Sequence, residues 1–138
     1  MPQASCKTTI HTPADALWRV ISDFGAAGGY LSGIVSFTVK GEGVGALRTL
    51  TSVDGSSIVE RLETQDEAAR QLSYSLQTDT PFQNCLTTMT VRDLGSGRAE
   101  LAWSATFQST GIPAGEAVEM LEGALSANCL ALKQFMER

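Results

Sequence analysis

Few residues in this chain have side chains suited to chemistry, and the most informative are Glu60 and Arg48. Residues alternate across a strand, so in Ser57-Ile58-Val59-Glu60-Arg61-Leu62-Glu63 the side chains of Ile58, Glu60 and Leu62 share one face, with Arg61 and Glu63 on the other. One carboxylate therefore sits among apolar neighbours. In the preceding stretch Arg48, Leu50 and Ser52 take the inward face. A three-residue loop, Val53-Asp54-Gly55, sets Leu50 opposite Ile58 and Arg48 opposite Glu60. A two-residue loop would set Arg48 opposite Arg61, at the cost of like-charge repulsion. Glycine at the third loop position suits the left-handed backbone of such loops, so the register that pairs Arg48 with Glu60 is expected. A buried charge is expensive unless it is paired. The pair either ties two strands together or anchors the polar end of a ligand, and the sequence leaves both open.

Glu60 is also the best candidate for general acid–base work. A neighbouring Arg48 would keep it ionised, which hinders an acid role and permits a base role. Cys85, Thr87 and Met89 share an inward parity, and Cys85 and Cys129 are both candidates to face an interior pocket. A nucleophilic cysteine needs a base or a lowered pKa. The single histidine, His11, follows an inward Ile10 and belongs on the surface, so nucleophilic catalysis and a histidine-based metal site are both disfavoured. Cys6, Cys85 and Cys129 are odd in number, far apart and without a CxxC pair. They fit reduced thiols of a cytoplasmic protein better than a disulfide framework or a zinc site. Gly41, Gly43 and Gly45 lack the strand and helix context of a nucleotide site and read as turn glycines. No cofactor and no metal are implied.

The rest of the chain must position these groups. With 138 residues, 43% hydrophobic and 18% charged, it fits one domain spanning residues 1–138 with a sizeable core. A net charge of -5 and no basic run argue against nucleic acid or an anionic membrane surface as partner. The start has no signal-peptide pattern, and no apolar run approaches the roughly 20 residues that span a bilayer. Stable membrane insertion is not expected, and the protein reads as a monomer or homodimer.

Lys7-Thr8-Thr9-Ile10-His11 reads as a strand within residues 5–12. A helix follows, with Thr12 as cap, Pro13 at the first helical position and Asp15 as a capping-box acid. Ala14, Leu17, Trp18 and Ile21 supply its apolar face. Asp23 caps a second short turn that Gly25, Gly28 and Gly29 break. Six strands are expected near residues 35–40, 47–53, 57–65, 71–78, 83–93 and 98–107, joined by short turns into an antiparallel meander. Pro113 opens a long helix that runs to the end of the chain. Ala117, Val118, Leu121, Ala124, Leu125, Asn128, Leu132 and Phe135 recur along it at three- and four-residue spacing.

This order, together with Thr12-Pro13-Ala14-Asp15-Ala16-Leu17-Trp18, Ile21-Ser22-Asp23-Phe24, Gly41-Glu42-Gly43-Val44-Gly45-Ala46-Leu47-Arg48, Glu60-Arg61-Leu62-Glu63, Trp103 and Leu130-Ala131-Leu132-Lys133, resembles the helix-grip superfamily (SRPBCC). That superfamily includes the START lipid-transfer domains, the birch-pollen allergen group and the polyketide cyclase/dehydrase-like proteins. The resemblance implies an α+β fold, a curved antiparallel sheet of about seven strands around a long C-terminal helix, enclosing a cavity. Gly45-x-x-Arg48, a loop, then Glu60-Arg61-Leu62-Glu63 and Asp66 is also similar to the plant abscisic acid receptors. That similarity implies that Glu60 lines a pocket and that Ser52-Val53-Asp54-Gly55-Ser56 is a lid. Two departures stand against a hormone role. Residues 26–31 contain no lysine to meet a carboxylate, and Thr80-Pro81-Phe82 replaces a His-Arg-Leu lid sequence, with Cys85 where a pocket tyrosine is expected.

The expected function is binding of a small hydrophobic molecule between sheet and helix, as carrier, sequesterer or sensor. From the sheet, Arg48, Leu50, Glu60, Leu62, Tyr74, Leu76, Phe82, Cys85, Thr87, Trp103 and Phe107 are candidate ligand contacts; from the helix, Leu121, Ala124 and Asn128; from the lid, Asp54 and Gly55. A polyketide cyclase/dehydrase-like enzyme with Glu60 as base is the alternative, since shape and one base can suffice. An interaction module with a filled core is the third reading.

Overall fold

The structure is a computed structural model and describes residues 1–31 and 33–138. The chain runs β1 (Gln3–Ile10), α1 (Ala14–Ser22), a 3-10 helix (Phe24–Gly29), β2 (Ile34–Lys40), β3 (Leu47–Ser52), β4 (Ser57–Asp66), β5 (Gln71–Leu76), β6 (Phe82–Gly95), β7 (Arg98–Ser109) and α2 (Ala114–Met136). The seven strands form one antiparallel sheet in the order β1-β7-β6-β5-β4-β3-β2. With α2 packed across it, this is the helix-grip fold.

Strand alternation decides the inner face. Leu72, Tyr74, Met89, Leu101, Trp103, Ala105 and Phe107 are all buried, as their parity requires. Rows run straight across the sheet: Cys6, Trp103, Met89 and Leu72 stand side by side, and Ala4, Ala105, Thr87 and Tyr74 form the next row. The β6–β7 hairpin is longer than the sequence suggests. Its pairing continues from Gly95 opposite Arg98 to Phe82 opposite Ser109, whereas β5 stops at Leu76.

Helix α1 begins one residue later than expected. Pro13, not Thr12, holds the capping position, with no side-chain bond, and its carbonyl accepts from the N–H groups of Ala16 and Leu17 at 3.1 Å. The residue before a proline is pushed towards extended backbone, so Thr12 stays outside the helix and is buried. Asp15 forms no capping box; it meets Arg70 of the β4–β5 turn at 2.9 Å. The indole of Trp18 donates to Glu67 in the same turn at 2.5 Å, which docks α1 beside the sheet.

Helix α2 has 23 residues, about 34 Å at 1.5 Å per residue. It lies along the β1 edge. The Lys133 ammonium donates to the Thr9 carbonyl at 2.6 Å, and the His11 N–H donates to the Glu137 carboxylate at 2.9 Å. Cys129 therefore packs against Cys6 of β1 and does not border the cavity beneath the middle of α2. Because α2 favours the β1 and β7 side, Phe37 and Val39 on the far edge strand β2 stay exposed. The middle strands lie between the covered edge and the open one.

The β3–β4 connection is the three-residue loop read from the sequence. Arg48 lies opposite Glu60 and Leu50 opposite Ile58, and Gly55 has φ 88°. A side chain at Gly55 would meet nothing within 4 Å, so only the left-handed backbone opposes one. Gly55→Ala is expected to lower stability by about 1–2 kcal/mol in urea unfolding, without changing the spectrum of the folded state.

Candidate functional site

β4, β5 and β6 form the floor of a cavity of about 240 Å3 and the middle of α2 its roof. Ile58 and Glu60 enter from β4, Tyr74 and Leu76 from β5, and Phe82, Cys85 and Thr87 from β6, with Thr80 just before β6. Leu121, Ala124, Leu125 and Asn128 close it from the helix, at spacings of three and four that put them on one face. A shallower outer hollow of about 260 Å3 shares Leu76, Thr80 and Phe82, so these residues partition the two. Phe82 is held edge-on to Phe107, ring centres 5.4 Å apart.

Glu60 and Arg48 are the electrostatic centre. The Arg48 Nε donates to Glu60 Oε1 at 2.8 Å, and its Nη1 donates to the Phe24 carbonyl at 3.2 Å. The guanidinium is covered by the Phe24 ring at 4.0 Å and the Tyr74 ring at 4.8 Å. One residue thus ties β3, β4 and the 3-10 helix together. Burial pushes the Glu60 carboxyl above the usual carboxylate range, and Arg48 pulls against that shift. Arg48 stays charged, its pKa raised against the cost of burial by Glu60 and by Tyr74 and Tyr30. Among the described residues nothing donates to Glu60 Oε2. That oxygen is also not sealed away from space, since no buried side-chain polar atom of the described residues is left without a partner. Glu60 lines the cavity, and Oε2 is the carboxylate oxygen that Arg48 does not hold.

Tyr74 adds a hydroxyl that accepts from the Trp103 indole N–H at 3.0 Å. Burial raises the Tyr74 phenol far above its ordinary value, so it remains protonated. Cys85 lies 3.9 Å from the Thr87 hydroxyl, and burial pushes its thiol up. The Cys129 thiol is pushed up as well. Neither is a ready thiolate, and among the described residues no histidine lines the cavity beside Cys85.

Of the residues predicted from sequence, the structure brings Glu60, Tyr74, Leu76, Phe82, Cys85, Thr87, Leu121, Ala124 and Asn128 to the cavity. Arg48 stands behind Glu60, and Leu50 is buried on β3 away from the cavity. Leu62, Trp103 and Phe107 are core beneath it. Asp54 and Gly55 sit in the exposed β3–β4 loop, where Asp54 accepts from the Ser56 N–H at 2.9 Å and from its hydroxyl at 2.6 Å; neither borders the cavity. Ile58, Thr80 and Leu125 border it in addition to the ligand contacts expected from sequence. Ile58 shares the parity of Glu60, and Leu125 shares the helix face of Leu121, so periodicity carries the signal for both.

A seven-stranded sheet gripping one long helix, with a carboxylate facing the space between, defines a helix-grip ligand-binding fold. The chain belongs to the family described as "Polyketide cyclase / dehydrase and lipid transport", whose sequence profile matches residues 1–137. It is similar to the structure of the protein XoxI from Bacillus cereus, with 28% identity and a TM-score of 0.90 over 99% of this chain and 96% of that one. At 20% identity it shares its fold with norcoclaurine synthase from Thalictrum flavum, solved with dopamine and hydroxybenzaldehyde, with a TM-score of 0.78 over 96% of this chain and 84% of that one. The Zhui aromatase/cyclase of a Streptomyces also shares the fold, at 23% identity and a TM-score of 0.74 over 94% and 87%. No curated protein matches the sequence.

Proposed function

We propose that this protein binds a small hydrophobic molecule in the cavity between β4–β6 and α2, as a carrier, sequesterer or sensor. The observation that carries the reading is a cavity of about 240 Å3 with mostly apolar walls, lined by Glu60, whose Oε2 Arg48 leaves free. Ligand sites are typically concave and apolar with a few placed polar groups, and run roughly 300–1,000 Å3 for drug-sized ligands. This one is smaller and suits a mono- or bicyclic skeleton. Native mass spectrometry of the purified chain, followed by a thermal-shift screen of aromatic and isoprenoid compounds, tests it. A saturating ligand at a hundred times its Kd is expected to add about 2.7 kcal/mol of stability. An apo mass together with no shift from any compound would refute the reading.

An enzymatic reading is favoured by the Glu60 carboxyl itself. A carboxylate raised above its usual range is a better base near neutral pH. Such an enzyme loses turnover in Glu60→Gln while retaining its fold and its ability to bind substrate. A carrier shows no turnover in either form.

A further inference from the structure

The polar groups facing the cavity discriminate among ligands by charge, an inference that rests on the binding reading above. We infer that the cavity selects a neutral hydroxyl compound, a phenol or alcohol on an apolar skeleton, and discriminates against carboxylates and ammonium ions.

The acceptor is Glu60 Oε2, which no described group bonds, while Oε1 is held by Arg48 at 2.8 Å. An acceptor in a desolvated site loses its water when an apolar ligand fills the space. A ligand without a donor leaves it unpaired, and that penalty is the basis of strong discrimination. A hydroxyl proton restores the bond.

A ligand carboxylate meets the opposite fate. Among the described residues no lysine, arginine or histidine lines the cavity. Arg48 cannot turn to serve it, because its Nη1 is held by the Phe24 carbonyl at 3.2 Å and its plane is covered by Phe24 and Tyr74. Two carboxylates would then share one low-dielectric space with a single cation, already engaged on the far side.

An ammonium ion fares little better. The Arg48–Glu60 pair is neutral as a unit, so a buried ammonium would lose its hydration without an uncompensated counter-charge to receive it. A hydroxyl carries no such cost. It also has a lone pair for the helix side of the cavity, which Asn128 lines, while Thr87 lines the sheet side.

The test is isothermal titration of the full chain at neutral pH with four ligands of one skeleton: 2-naphthol, 2-methoxynaphthalene, 2-naphthoate and 2-naphthylmethylammonium. The naphthol is expected to bind at least roughly tenfold tighter than each of the others. In Glu60→Gln its advantage over the methyl ether should shrink. Equal binding of naphthol and ether would overturn the donor requirement and leave cavity binding standing. Tightest binding by the naphthoate or the ammonium would overturn the charge argument. Binding by none of the four to the folded protein would remove the cavity reading itself, and this inference with it. Should Glu60→Gln fail to fold, the four ligands on the unaltered chain still decide the matter.

Discussion

Arg48→Ala is expected to destabilise the protein by about 3–5 kcal/mol, the usual cost of removing one partner of a buried ion pair. Arg48 is 3% exposed and Glu60 is 8% exposed, so neither charge has more than slight access to bulk solvent. The truncation orphans the Glu60 carboxylate and the Phe24 carbonyl together, and it opens a gap between the Phe24 and Tyr74 rings. Thermal or urea unfolding reads the loss directly, as a drop in Tm of roughly 10 °C or more. The double substitution Arg48→Met with Glu60→Gln should recover much of it, because replacing both ions removes the uncompensated charge. If Arg48→Ala alone keeps near-native stability, water reaches the pair and the electrostatics argued for the site are wrong.

Ala124→Phe is expected to abolish ligand binding and keep the fold. Ala124 lines the cavity from α2 one turn from Leu121 and Asn128. A phenyl ring there occupies space that a ligand would take, and leaves the Arg48–Glu60 hydrogen bond on the far side of Glu60 in place. Affinity for a ligand found in the thermal-shift screen should fall about a hundredfold or more, roughly 2.7 kcal/mol. The unfolding midpoint of the free protein should hold or rise, since a ring in an apolar void restores dispersion attraction to the atoms that line it. Undiminished binding by this variant would place the ligand elsewhere, with the outer hollow beside Phe82 the next site to probe. Together the two substitutions separate what holds the sheet from what the sheet encloses.

The two roles of the Arg48–Glu60 pair left open by the sequence prove compatible in this geometry. Glu60 Oε1 is used by Arg48 as a strand tie, and Oε2 remains for the cavity. The two oxygens of a carboxylate point in different directions, so one side chain has the geometry to serve both.

Much of this was legible in local sequence. Alternation assigned the inward faces of β3 to β7, because a strand leaves only two faces and one must be apolar. The pairing of Arg48 with Glu60 followed from loop length and Gly55, since a one-residue slip would have set Arg48 against Arg61. The helical spacing of α2 placed Leu121, Ala124, Leu125 and Asn128 on one face. What the sequence could not decide was distance between elements. Whether Trp103 and Phe107 line a cavity or fill the core depends on how far α2 stands from the sheet at each point. That standoff is set by α2 docking along β1, through Cys129 against Cys6 and Lys133 on Thr9. These contacts join residues more than a hundred positions apart, and no local pattern records them. The same docking closes the core over β7, leaves β4 to β6 under a gap, and so turns Glu60 from a strand tie into the polar wall of a cavity.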